Sequence, residues 1–436
     1  MKRLIPLLVL ILIAYVCAPA SAQPLRMTIE GPSQVANIAI SQLKNLGGDD
    51  EGRISGRFVS TLMRNLKLSG DFKILDPDSY IEKPQSSGYD VGQINFADWS
   101  SINALFLVKG SVKAQGSQVE LTAMLFDVST QQRMMGKRFV GAPSDVREMA
   151  RRFADAVMKA VTGTRGPFDT KLAFVSTGNS RYKEVYVSYL DGDGLFQITN
   201  NPTINLFPHF DKTVRHLIYL SYKSDEPALY LVDLEAKREV KIQSNLGRMV
   251  GGALTPSGDR IVAAIESGGY TNLYLLDSAG NRIRALTHDN AINVNPSISS
   301  DGSQLAFCSD RSGRPQIYVM PLDGGAARRV TYEGSYNSAP SFSPDASKIA
   351  YESREGGRFD IYVIPTAGGK ALRLTTDGSN TSPSWSPDGR YIAFSSTRSG
   401  RARIYIMQAN NPTIVSALTE DDGNDTSPAW SWWLGE

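Results

Sequence analysis

The sequence predicts a mostly β protein: a six-bladed β-propeller closed by a C-terminal strand and preceded by a small α/β domain. Three observations predict it. An apolar triplet begins at Leu172, Leu217, Ile261, Leu305, Ile349 and Ile392. An apolar–Tyr pair recurs with Tyr186, Tyr230, Tyr274, Tyr318, Tyr362 and Tyr405. Thr199, Thr287, Thr331, Thr375 and Thr419 hold a third slot, filled by Gln243 in the remaining copy. All three marks step by 43 to 45 residues. Six copies of such a period, each built of short strands, indicate a propeller.

Taken in chain order, residues 1–22 read as a secretory signal peptide. Lys2 and Arg3 precede an apolar run, and Ala20 and Ala22 are small residues placed for cleavage after Ala22. The run is too short for a spanning helix. The expected product is exported to the periplasm. Its 44 basic and 44 acidic residues balance once Lys2 and Arg3 are removed. That neutrality argues against nucleic acid or an anionic membrane surface as the main partner. Cleavage also removes Cys17 and leaves Cys308 alone, so no internal disulfide is expected; Cys308 stands in a predicted strand and reads as a small buried residue.

Residues 23–166 carry the α/β domain. "VANIAI", "FKIL", "LFLVKGSVKA" and "VELTAMLF" read as strands. Ile54, Phe58, Leu62 and Leu66 recur every four residues and mark an amphipathic helix ending near "LSGDF". Val146, Met149, Phe153, Val157 and Val161 mark a second, with Ser144 as the expected N-cap. "TGTRGPFDT" (Thr162 to Thr170) is the expected hinge into the propeller, residues 167–436.

Each propeller unit reads as four strands, with an inner strand around "PSWS" and turns of the "SPDG" kind between strands. Gly supplies positive φ in such turns and Asp caps them. Phe210, Leu254, Ile298, Phe342, Trp385 and Trp430 stand two residues after the repeat proline position and are expected to pack between blades. The first unit starts at "TKLAFVS" and lacks an inner strand, while the final "PAWS", Pro428 to Ser431, is an inner strand without a blade. The two ends therefore join and close the ring, which removes a free edge.

Catalytic signatures are sparse. The chain has no G-x-S-x-G elbow, Walker loop, H-E-x-x-H or C-x-x-C motif. Of three histidines, His209 and His216 flank an inner strand and His288 lies in a loop, which reads as structural or solvated. "DGDG", 191–194, reads as a hairpin turn and "EDDGND", Glu420 to Asp425, as a solvated loop at the channel mouth. No cofactor or metal is expected. The loops before the inner strands ("NPTINLFP", "NLGRMVGG", "HDNAINVNP", "EGSYNSAP", "DGSNTSP", "DDGNDTSP") are rich in Asn, Ser and Gly. They suit holding a peptide or loop rather than performing catalysis. The alternative is a propeller enzyme such as a metal-assisted polysaccharide lyase, which would need His and acidic residues converging in the channel.

"SDRSGRPQIYVMPLDGGAARRVTYEGSYNSAP", "SPSWSPDGRYIAFSS" and the closing "PAWS" resemble the TolB family of the Tol-Pal envelope system, over nearly the whole chain. The resemblance implies a non-enzymatic periplasmic adaptor acting in outer-membrane constriction at cell division and in envelope integrity, and exploited in bacteriocin import. It implies that the mouth binds the lipoprotein Pal through positions matching Arg248, Gly251, Val294 and Asn295. It also implies that Pro24, Leu25, Arg26, Met27, Thr28, Ile29 and Glu30 engage the inner-membrane protein TolA. Four departures stand out: Gly252 replaces the repeat proline, Lys212 to Val214 replace a "PDG" turn, "QPLRMTIEGPSQ" follows the family's N-terminal segment only loosely, and "SWWLGE" extends the ending.

Overall fold

The computed structural model describes residues 35–434 except 50, 84–87, 179, 421 and 422. The expected signal peptide, its cleavage point and the segment Pro24–Glu30 lie outside the described residues.

The α/β part is one sheet with helices on both faces. Its strands are β1 (Ala36–Ile40), β2 (Lys44–Asn45), β3 (Phe72–Ile74), β4 (Phe106–Gln115), β5 (Gln118–Asp127) and β6 (Gln132–Gly141). The order is β3-β1-β4-β5-β6, with β2 also beside β4. β1 runs parallel to β3 and β4, and β4, β5 and β6 are antiparallel neighbours. Helices α1 (Arg53–Ser69) and α3 (Val146–Thr162) cover one face, where Phe58, Leu62, Phe153 and Val157 meet Val108, Leu121 and Leu125. The short α2 (Phe96–Ser101) carries Trp99 onto the other face against Leu107 and Phe126. The expected helix periodicity holds in both long helices, but Ser144 is not the N-cap of α3. A 3₁₀ turn, Pro143–Asp145, precedes the helix and puts Asp145 in the N-cap position. Ser144 instead donates to the Asp145 carboxylate, which accepts from Ala142 N.

Six four-stranded antiparallel sheets follow, one per repeat. Blade 1 is closed as expected. Its inner strand, Asp425–Trp433, comes from the chain end and pairs with Thr170–Ser176, from Asp425 opposite Ser176 to Trp433 opposite Thr170. Trp430 Nε1 adds a hydrogen bond to Thr170 Oγ1 at 2.9 Å. The bulky residue of each inner strand packs between blades: Trp385, for example, sits among Ala350 and Ile361 of one blade and Ile392 and Phe394 of the next. Cys308 is buried and its thiol donates to Asn337 O at 3.3 Å.

The two parts share one apolar cluster, in which α1 and α3 residues adjoin Leu172 and Leu190 of blade 1 and Tyr391 and Ile406 of blade 6. Polar contacts reinforce it. Asp71 accepts from Arg390 Nη2 at 3.0 Å, Tyr391 Oη at 3.0 Å and Gln408 Nε2 at 3.2 Å. The "DGDG" turn does more than reverse the chain: Asp191 is buried, pairs with Arg151 at 3.3 Å and accepts from Asn65 at 3.2 Å. The connecting stretch is tied down as well. Phe168 is buried and donates its N–H to Asp155, while Trp433 Nε1 donates to Gly166 O and Leu434 N to Asp169 O. The extended ending thus packs along the connection between the two parts.

Candidate functional site

Every inner strand begins at the same end of the propeller, and each breaks register with its neighbour near its start, the closing strand a second time between Trp430 and Trp433. In five blades the break near the start includes the residue before the repeat proline. That residue is left-handed in five blades: Phe207 (φ 54°), Asn295 (52°), Ala339 (48°), Ser382 (53°) and Ser427 (52°). Asn tolerates this region, but Phe and Ala are outliers there. Such backbone persists only where the surrounding fold over-determines it. In blade 3 the break falls one residue earlier, at Val250; Gly251 and Gly252 stay in register opposite Ala264 and Ala263, and neither is left-handed.

These six positions form a ring. Phe207, Gly251, Asn295, Ala339, Ser382 and Ser427 line a cavity of about 130 Å³ at the channel mouth. Beneath it a second cavity of about 200 Å³ is lined by the bulky interblade residues, Phe210, Leu254, Ile298, Phe342, Trp385 and Trp430. Those side chains therefore both fill the blade interfaces and wall the channel. The α/β part contacts the opposite ends of the blades, at Asp191, Arg390 and Ile414, and leaves the mouth open.

Of the four residues expected to contact a partner, Gly251 and Asn295 line the ring and Arg248 and Val294 do not. Arg248 opens its strand on the exposed face and is held by Glu266 on the paired strand, at 2.8 Å from Nε and 2.7 Å from Nη2. This hydrogen-bonded pairing lowers the Glu266 pKa. Val294 turns toward the cluster between blades 3 and 4. Sequence reasoning missed Phe207, Ala339, Ser382 and Ser427, although their place before the repeat proline was a usable signal. It also missed a set of large apolar residues exposed on the mouth side: Ile204, Tyr222, Tyr270, Ile292, Tyr332 and Tyr336.

Two half-buried titratable groups tie the mouth together. Glu352 accepts from Ser338 Oγ at 2.7 Å and from the N–H of left-handed Ser382 at 2.8 Å, so it braces the bulge of the next blade. Burial raises its pKa. His209 accepts from Leu254 N through Nδ1 at 3.3 Å, linking blades 2 and 3, and burial lowers its pKa to about 4. It is neutral at pH 7 and suited to that acceptor role. His216 pairs with Asp211 at 2.9 Å, and His288 is exposed. Among the described residues no group of three His, Cys, Asp or Glu side chains is placed to hold a metal ion. Asp425, expected in a solvated loop, is buried at the start of the closing strand, and Asp421 and Asp422 lie outside the described residues.

A closed propeller on an α/β base, with a bulged apolar mouth facing away from that base, defines a two-part propeller protein. Comparison with known proteins narrows the class. The TolB beta propeller domain matches residues 158–376 and 335–432, and the TolB amino-terminal domain matches residues 26–134. The chain belongs to the TolB beta-propeller family. It is similar to the Tol-Pal system protein TolB of Desulfosudis oleivorans, 36% identical over 282 residues, covering 64% of each chain. It is likewise similar to that of Syntrophotalea carbinolica, 36% identical over 211 residues, covering 48% of this chain and 49% of the relative. The matched stretch thus spans about half to two thirds of these relatives. The crystal structure of TolB from Acinetobacter baumannii shares the fold, with a TM-score of 0.79 at 24% identity, covering 92% of this chain and 97% of that one.

Proposed function

We infer that this chain is a periplasmic, non-enzymatic adaptor of the Tol-Pal system, exported by cleavage after Ala22 and acting in outer-membrane constriction and envelope integrity. The mouth holds the lipoprotein Pal, with Arg248, Gly251, Val294 and Asn295 among the contacts. The segment Pro24 to Glu30 engages TolA. The observation that carries the reading is the bulged mouth itself: a ring of strained backbone around a cavity, flanked by exposed aromatic and aliphatic side chains. Aromatic residues supply most of the energy at protein interfaces, and strained backbone gathers at binding sites. Arg248 is already oriented by Glu266 and offers its guanidinium edge to a carboxylate or carbonyl. The relatives' shared name, Tol-Pal system protein TolB, supports the same assignment.

The test is calorimetric titration of residues 23–436 with the soluble domain of Pal from the same organism. Saturable binding that weakens at least tenfold in Arg248→Ala/Asn295→Ala supports the reading. Absence of binding between two folded proteins removes the partner assignment, and undiminished binding by the variant removes the mouth as its site.

A further inference from the structure

Among the described residues the sheet edges that face outward, away from the channel, are short, with one exception. The outermost strands of the six blades are Phe196–Gln197, Arg238–Lys241, Arg282–Ala285, Arg328–Arg329, Leu372–Arg373 and Val415–Ala417. None exceeds four residues, and at the other end of the α/β sheet β3 has three. Shortness is a standard protection for an edge, because a row of unpaired N–H and C=O groups templates further pairing. β6 has ten residues and, among the described residues, pairs only with β5.

We propose that β6 is a docking edge that takes an extended, acidic segment of another protein as an added strand. Its side chains fit that occupant. Arg133 and Lys137 are exposed, as is Arg138, which pairs with Glu120 of β5 at 2.9 Å, and Gln132–Gly141 contains no acidic residue. Val140 (55% exposed) and Met134 (39%) add an apolar strip for a neighbouring strand to cover. Gly136 lies mid-strand with ordinary extended φ, and a Cβ there would meet Met124 Cγ at 3.4 Å, close to normal contact. The strand's own fold does not demand glycine at this point, and a bare backbone is what close approach of a second backbone favours.

Charge decides among occupants. Antiparallel pairing with a second copy would bring two sets of Arg133 and Lys137 together, and like charges facing across a ladder are destabilising. Residues 23–34 of the chain itself carry one Arg and one Glu, with no excess of negative charge. A strand with alternating Glu or Asp pairs favourably along the edge, its main chain supplying affinity and its carboxylates selectivity.

The test uses the chain from residue 23 onward and a fluorescein-labelled decapeptide alternating Glu with Val and Thr, beside its Lys-for-Glu counterpart. The acidic peptide should bind saturably and the basic one at least tenfold more weakly. Arg133→Glu/Lys137→Glu should weaken acidic-peptide binding at least tenfold while leaving the thermal midpoint within about 2 °C, because both side chains are exposed and substitutions at such sites change stability little. Amide hydrogen exchange should slow within 132–141 on peptide addition. The proposal is overturned if the acidic peptide does not bind, if the basic one binds equally, if protection appears elsewhere, or if the chain dimerises through 132–141.

Discussion

Gly70 is where the two parts of the molecule come closest to a steric limit. It ends α1 as a left-handed cap (φ 71°, ψ 0°), with its N–H donating to Lys67 O. A Cβ there would lie 2.2 Å from Ile414 Cγ2 in blade 6. Gly163 ends α3 with nearly the same geometry (φ 84°, ψ −11°), but a Cβ there meets nothing within 4 Å. The pair separates backbone strain from contact between the parts. Gly163→Ala should cost only the left-handed penalty, about 1–2 kcal/mol. Gly70→Ala carries that penalty and must also move the β-branched Ile414 by roughly 1.5 Å to restore normal carbon contact. Overpacking of that kind costs about 1–3 kcal/mol, so Gly70→Ala should be destabilised by about 2–5 kcal/mol in total. Urea unfolding followed by circular dichroism reads both values. Limited proteolysis across 163–169 reads the loosened connection, which only Gly70→Ala should expose. Equal destabilisation by the two substitutions, with no added cleavage, would refute the claim that the Gly70–Ile414 contact fixes the parts together.

The remaining predictions concern groups wholly or partly withdrawn from water. Burial pushes the Asp155 carboxyl up to about 8 against an ordinary 3.8, so between those values the folded state holds a proton that the unfolded state has lost. Stability from this group is therefore full below pH 4 and declines as pH rises toward 8, by up to about 1.4 kcal/mol per pH unit. Asp155→Asn, which keeps an acceptor for Phe168 N, should flatten that slope in urea unfolding between pH 5 and 8; an unchanged slope would contradict it. Glu352→Ala strips the acceptor from Ser382 N and should cost about 1–3 kcal/mol, with Glu352→Gln costing less because an amide oxygen still accepts. Thermal unfolding of the three proteins ranks them. Burial pushes the Cys308 thiol up to about 12, so in the chain from residue 23 it should resist Ellman's reagent at pH 8 until denaturant is added; rapid reaction in the folded protein would show the site to be open.

The propeller was legible because its marks are local and repeat. A period of 43 to 45 residues, turn residues at fixed offsets and an orphan "PAWS" require no knowledge of the third dimension. The strand β6 was not read. Its core contacts, Met135 and Phe139, are only half-buried, and a bulge opposite Leu125 and Phe126 interrupts the alternation that marks a strand. Ser144 was misread as a cap because the extra 3₁₀ turn moves the helix start by one residue, a shift no periodicity records. The mouth was half legible. Asn295 and Gly251 announce conformational tolerance by their residue type, whereas Phe207 and Ala339 do not. Nothing in Phe or Ala suggests a left-handed backbone, and the following proline argues locally for an extended one.

That contrast bears on how the mouth works. A conformation that local sequence opposes in several blades must be imposed by their packing, so the ring's shape depends on bracing from neighbouring blades. Glu352 of blade 5 holding Ser382 of blade 6, and His209 of blade 2 holding Leu254 of blade 3, are two such braces. The same dependence explains the closure by Asp425–Trp433. Ser427 takes its place in the ring only because the chain end pairs with Thr170–Ser176, and that pairing in turn lays Trp433 and Leu434 along the connection to the α/β part. One strand thus completes the mouth at one end and secures the base at the other. Disturbance at either end has a direct covalent route to the other through the nine-residue strand Asp425–Trp433.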